Sequence, residues 1–233
     1  MTIALAQHRT PGRGPAILFL PGYASDMGGT KALAIEAWAQ AQGRACIRFD
    51  YRGCGASPGA FAEASFADWR ADTLAMIASV DGPVVLVGSS LGGWLMLSAA
   101  LAVPDRIAGL VGIAAAPDFT DWGFSTDEKL AILRDGQFTR ANPYGPEPTL
   151  YTRTFWASGE AHRLMGGSIA IAAPVRLIHG MGDPDVPYNR SARLAELLHS
   201  ADVQVRLIKD GDHRLSRERD IAVIITAIEE LVG

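Results

Sequence analysis

The pentapeptide Gly88-Ser89-Ser90-Leu91-Gly92 constrains this 233-residue chain more than any other stretch. It lies between two apolar runs of different character. Pro83 to Val87 is short and β-branched at Val84, Val85 and Val87, which reads as a buried strand. Gly93 to Ala102 is rich in Leu, Met and Ala and reads as a helix. A G-x-S-x-G sequence joining strand to helix is a sharp turn that strains the backbone of its central residue. Its glycines stand where a Cβ would strike the neighbouring strand or helix. The turn presents the Ser90 hydroxyl above a sheet at the positive end of a helix, a placement suited to attack on a carbonyl carbon. With 25 glycines in the chain such a string can recur by chance, so its weight rests on what surrounds it.

Short apolar runs alternate with helical patterns along the chain, which predicts a mostly parallel sheet with helices on both faces. Strands are expected at Ala16–Leu20, Ala45–Phe49, Pro83–Val87, Ala108–Ala114, Val175–His179 and Val203–Ile208, with an antiparallel edge strand at Ile3–His8. Helices are expected at Gly29–Gln42, Phe66–Val80, Leu91–Ala102, Asn189–His199 and Arg217–Leu231. The alternation breaks between Pro117 and Ala173. There Ser125 to Glu128 reads as a capping box for a short helix, Asp127–Arg134, followed by a Pro- and Gly-rich connector and a helical patch over Thr149–Met165. The insert, about 118–172, carries Phe119, Trp122, Phe124, Phe138, Tyr144, Tyr151, Phe155 and Trp156. So many rings between two strands suit a small helical lid over an apolar pocket, some anchoring it and some lining the pocket. Trp122, Phe124, Tyr151, Phe155 and Trp156 are the expected substrate contacts.

A serine hydroxyl attacks only with a base in reach and a carboxylate orienting that base. On a doubly wound sheet the chain order is Ser, acid, His. Of the five histidines, His213 falls in a loop after the last strand, where a late base belongs. The acid belongs on the loop after the preceding strand, Gly180 to Pro187, which offers Asp183 and Asp185. Asp183 comes first at the strand mouth and is the expected acid, with Asp185 the runner-up. Asp210 and Asp212, so near His213, read as loop-shaping residues. The oxyanion requires backbone donors; the amides of Leu91, after the nucleophile, and Tyr23, in the loop Pro21-Gly22-Tyr23, are the candidates. Cys54 reads as packing, and Lys31 as a solvated lysine that an acidic substrate group could also meet. Neither H-E-x-x-H nor paired C-x-x-C occurs, so no metal or cofactor is expected.

A chain of this length fits one α/β domain. Its net charge of −4 gives no reason to expect nucleic acid. No apolar run is long enough to span a bilayer. The start, Met1 to Arg9, lacks the layout of a signal peptide, and Cys46 and Cys54 do not form a disulfide framework, which makes cytoplasmic residence the default expectation.

Taken in order, the elbow, the Asp50-Tyr51-x-Gly53-x-Gly55 loop, His179-Gly180-x-x-Asp183-x-x-Val186-Pro187 and Gly211-Asp212-His213 resemble the α/β-hydrolase superfamily over nearly the whole chain. Longer strings resemble the mitochondrial palmitoyl-protein thioesterase / acyl-glucuronide esterase group and its bacterial relatives. They include Leu20-Pro21-Gly22-Tyr23, Gly29-Thr30-Lys31-Ala32-Leu33-Ala34, Ile47-Arg48-Phe49-Asp50-Tyr51 and Val87 to Leu97. The resemblance implies the α/β-hydrolase fold, a Ser90–Asp183–His213 triad, and substrates that are esters or thioesters of acyl groups, on a small molecule or an acylated protein. Two other readings stand beside it: an inactive binding protein on the same scaffold, and a small peptidase or amidase of this fold.

Overall fold

Period-two burial along the apolar runs builds a seven-stranded sheet in the computed structural model, which describes residues 4–233. In chain order the elements are β1 (Gln7–Thr10), β2 (Arg13–Leu20), α1 (Thr30–Ala41), β3 (Arg44–Phe49), α2 (Phe66–Ala78), β4 (Val84–Ser89), α3 (Leu91–Ala102) and β5 (Ile107–Ile113). There follow α4 (Phe119–Trp122), α5 (Thr126–Asp135), β6 (Gln137–Arg140), β7 (Thr149–Thr152), α6 (Arg153–Glu160), β8 (Val175–Gly180), α7 (Asn189–Leu197), β9 (Val203–Ile208) and α8 (Glu218–Val232). The sheet runs β1-β3-β2-β4-β5-β8-β9, parallel throughout except that β1 is antiparallel to β3.

Alternate side chains of each strand point to opposite faces, and the two cores follow that rule. Ile17, Phe19, Val85, Val87, Val111, Ile113 and Ile178 pack with Ile35 of α1 and Ile224 and Ile228 of α8. Leu18, Leu20, Leu86, Leu110 and Leu177 pack on the other face with Trp69 of α2, Trp94 of α3 and Leu194 of α7. β4 is buried along its whole length, as a central strand covered on both sides must be. The arrangement is the α/β-hydrolase fold.

The antiparallel edge strand expected at Ile3–His8 lies further along, at Gln7–Thr10, and Ile3 is outside the described residues. α7 stops short of His199. Leu198 turns extended and bridges to Ile169, with the His199 amide donating to the Ile169 carbonyl at 3.0 Å.

Between β5 and β8 the capping box forms as expected. The Ser125 hydroxyl accepts from the Glu128 amide at 3.3 Å, and the Glu128 carboxylate accepts from the Ser125 amide at 2.8 Å. The patch expected to be helical over Thr149–Met165 instead divides. Thr149–Thr152 pairs antiparallel with Gln137–Arg140, and only Arg153–Glu160 is α-helical. Thr152 makes the change of direction, its hydroxyl accepting from the Phe155 amide at 3.2 Å as the N-cap of α6. The root of the segment is closed by Asp118, buried and left-handed at φ 54°. Its carboxylate accepts from the amides of Leu164 at 2.7 Å and Met165 at 2.8 Å, on the returning limb.

Candidate active site

The chain leaves β2 towards β3 on one side and β4 towards β5 on the other, so the strand order reverses between β2 and β4. A parallel sheet opens a crevice beyond the carboxyl ends of its strands at such a point. The loops after β2, β4, β8 and β9 line it.

After β4 the chain turns sharply at Ser90, held at φ 55° and ψ −117°. This is the strained conformation a nucleophile elbow requires. The flanking glycines are obligatory: a Cβ on Gly92 would stand 2.1 Å from the Leu20 carbonyl oxygen, and one on Gly88 2.4 Å from the Gly92 oxygen. The elbow is anchored to β5 by the Ser90 amide, which donates to the Ile113 carbonyl at 2.9 Å.

His213 Nε2 lies 3.2 Å from Ser90 Oγ, and His213 Nδ1 lies 2.8 Å from Asp183 Oδ2. The Asp183 side chain is fully buried. Burial alone would raise its pKa, but hydrogen bonds from His179 and His213 outweigh that and hold the carboxyl well below the usual range. Its other oxygen, Oδ1, accepts from the amides of Asp185 at 2.8 Å and Val186 at 2.9 Å. Asp185 supplies a backbone donor, while its exposed carboxylate accepts from the Tyr144 hydroxyl. Asp212 caps the Leu215 amide at 2.9 Å, and Asp210 pairs with Arg217 and Arg219, so both shape the His213 loop.

The acid and base loops touch through glycine. A Cβ on Gly180 would stand 2.3 Å from the Gly211 carbonyl oxygen, which accepts from the Gly182 amide at 2.9 Å. On the β2 side, a Cβ on Gly22 would stand 3.4 Å from Ser90 Cβ. The amides of Tyr23 and Leu91 have no acceptor among the described residues. The Tyr23 side chain turns away, donating to the Leu150 carbonyl at 2.7 Å and stacking on Tyr151 at 4.9 Å between ring centroids.

A cleft of about 760 Å³ opens over Ser90. Of the five rings expected to meet substrate, Trp122 and Tyr151 line it. Phe124, Phe155 and Trp156 do not. Phe124 packs on Phe119 and Phe138, Phe155 is buried against Tyr23 and Trp69, and the Trp156 indole donates to the Thr120 carbonyl at 3.2 Å. Phe124 and Phe155 belong to the core that holds Trp69 and Trp94, and Trp156 packs half-buried against it, where aromatic area is best kept from water. Phe119, Pro143 and Tyr144 take their place in the wall. Lys31 also lines the cleft, its ammonium donating to the Arg214 carbonyl; burial, and then Arg214, bring its pKa down to about 8. The sequence pattern of α1 does not distinguish this lysine from a solvated one, because its partner is 183 positions away. Cys54 is buried outside the cleft, and burial followed by Asp50 pushes its thiol up to about 12. Asp183, Asp185 and His213 bring ligand-type atoms within 4.8 Å of one another. Those of Asp183 and His213 bond each other, and that of Asp185 bonds Tyr144.

Fold and site define an α/β-hydrolase. A model described as the alpha/beta hydrolase family matches residues 17–226, and the chain belongs to that family. Mouse mitochondrial palmitoyl-protein thioesterase ABHD10 is 43% identical over 98% of this chain and 78% of its own. The solved structure of alpha/beta hydrolase domain-containing protein 10 from mouse matches with a TM-score of 0.90 at 38% identity, covering 100% of this chain and 98% of that one. A candidate hydrolase of Agrobacterium vitis matches with a TM-score of 0.92 at 36% identity over the whole of both chains.

Proposed function

We propose that this protein hydrolyses carboxylic esters or acyl thioesters through an acyl-serine intermediate. The reading is carried by one observation: a single imidazole, that of His213, spans Ser90 Oγ and a buried carboxylate. Ser90 attacks the acyl carbon as His213 Nε2 takes its proton. Asp183 holds the ring with Nδ1–H towards it and stabilises the imidazolium. The amides of Tyr23 and Leu91 receive the oxyanion. His213 then protonates the departing alkoxide or thiolate, and water, activated by the same base, releases the acid.

The segment 118–172 serves as a lid whose Phe119, Trp122 and Tyr151 offer apolar wall to an acyl chain. Mouse ABHD10 is named for palmitoyl-protein, and a long acyl chain, free or carried on a protein, is the substrate we assign here. No helix of the described residues is long and apolar enough to cross a membrane. Cytoplasmic residence stays our reading beside the mitochondrial location in the relative's name; fractionation of the source cells decides between them.

Labelling with a fluorophosphonate, and turnover of p-nitrophenyl esters and acyl thioesters of graded length, test the reading. Labelling lost in Ser90→Ala and kcat/KM rising with chain length are the expected results. A folded protein that fails to label is instead an inactive binding protein, and a flat length profile removes the apolar lid.

A further inference from the structure

A second histidine reaches the acid. His179, at the end of β8, is wholly buried. Its Nε2 lies 3.0 Å from the Val186 carbonyl oxygen and 3.2 Å from Asp183 Oδ2, the same oxygen that faces His213. Its Nδ1 lies 2.7 Å from the hydroxyl of Ser191, itself buried in α7. Both neighbours of Nε2 are acceptors, so Nε2 must carry a proton, and the Ser191 hydroxyl, free to rotate, donates to Nδ1. With Nε2–H facing the two acceptors and Nδ1 facing the Ser191 hydroxyl, every polar atom of this wholly buried ring has a partner. Asp183 is thereby met by two amides on Oδ1 and by the His213 imidazole on Oδ2, while the His179 N–H, bonded to the Val186 carbonyl, stands 3.2 Å from Oδ2 as a further positive pole.

We infer that His179 is a positioning residue, resting on the Ser90–Asp183–His213 reading: it fixes the Asp183 carboxylate against His213 and, with its tautomer set by Ser191, takes a share of the carboxylate's charge. A carboxylate with one donor fewer turns more freely and leans harder on the remaining imidazole. Removing His179 therefore has two effects of known direction. Turnover falls, because the base is held less well, and the base keeps its proton to higher pH. Lys31, Tyr144, Asp185, Asp212 and Arg214 are other titratable or charged groups around the pair. They are unchanged in every variant, so a moved profile reports the lost donor.

The test compares His179→Phe, which keeps a flat ring without polar atoms, His179→Gln, whose amide nitrogen can occupy the place of Nε2, and Asp183→Asn as reference. Expected for His179→Phe are a kcat lower by about 10- to 100-fold, KM unchanged, and an acid limb of kcat/KM displaced to higher pH. His179→Gln should recover most of both. Full activity and an unmoved limb in His179→Phe, with Asp183→Asn crippled, overturn the role of His179 alone; an active Asp183→Asn overturns the triad reading instead. Equal losses in the Phe and Gln variants with an unmoved limb mark a packing role and also overturn it. Should His179→Phe fail to fold, long-range ¹⁵N–¹H correlation spectra of the native protein decide. Protonation of His179 at Nε2 with Nδ1 bare supports the role, and the opposite tautomer overturns it.

Discussion

At the scale of single residues, the two carboxylates of the β8 loop make opposite contributions. Asp183 presents its side chain to His213, whereas Asp185 presents only its amide to Asp183. Asp183→Asn should lower kcat by about 10⁴-fold, the size of effect seen when a triad acid can no longer hold the imidazole tautomer. Asp185→Asn should change it by no more than about threefold, since the backbone donor stays; steady-state kinetics ranks them. Asp183 also carries a signature in stability. An acid whose folded pKa is depressed stabilises the fold above its unfolded pKa, about 3.9, and loses that contribution as pH falls through the folded value. Urea midpoints taken from pH 6 down to the acid limit of the fold should therefore fall less steeply in Asp183→Asn than in the native chain. His179 shows the boundary of sequence reading at this scale. Its position before Gly180 is visible in the sequence, but its partners depend on how the following loop doubles back.

At the scale of elements, the site depends on how closely two loops approach. Gly180→Ala would drive a Cβ to 2.3 Å from the Gly211 carbonyl oxygen, and the acid loop would have to move off the base loop. Gly182→Ala meets the same oxygen at 3.2 Å, a contact a small shift relieves. Thermal melts and kinetics should show Gly180→Ala losing both stability, by about 1–3 kcal/mol, and most of its turnover, with Gly182→Ala close to native. Elements read well from the sequence where apolar period and turn residues agree. Leu91–Ala102 and Val203–Ile208 fall where the pattern puts them, and the other sheet strands are displaced only at their ends, apart from the edge strand β1, which lies further along than Ile3–His8. The hairpin of β6 and β7 was not legible, because Thr149–Thr152 is four residues long and its partner lies across the Asn142–Pro148 connector. Four residues carry too few periods to tell strand from helix, so Thr149–Thr152 merges in the sequence with the helical stretch of α6 that follows it. The approach of Ser90, Asp183 and His213 was legible because each follows a strand; the cleft wall was not, because rings that point inward and rings that point outward share one composition.

At the scale of the molecule, a sheet with two cores carries a segment that returns to its own origin. The Asp118 carboxylate joins departure and return, and the Trp94 indole donates to the His162 carbonyl at 3.2 Å beside it. Asp118→Ala leaves the part-buried amides of Leu164 and Met165 without their acceptor, at a total cost of about 1–3 kcal/mol. The loss should be concentrated in the segment. Hydrogen exchange should rise in α4 and α6 while β4 and β5 keep native protection, and KM for long-chain esters should rise more than kcat falls.

That clasp brings the two ends of the stretch 118–165 to one spot on the scaffold, so the sheet's path from β5 to β8 does not depend on the length of the stretch between them. A stretch of different length set on the same Asp118 junction should therefore leave the sheet and the approach of Ser90, Asp183 and His213 as they are.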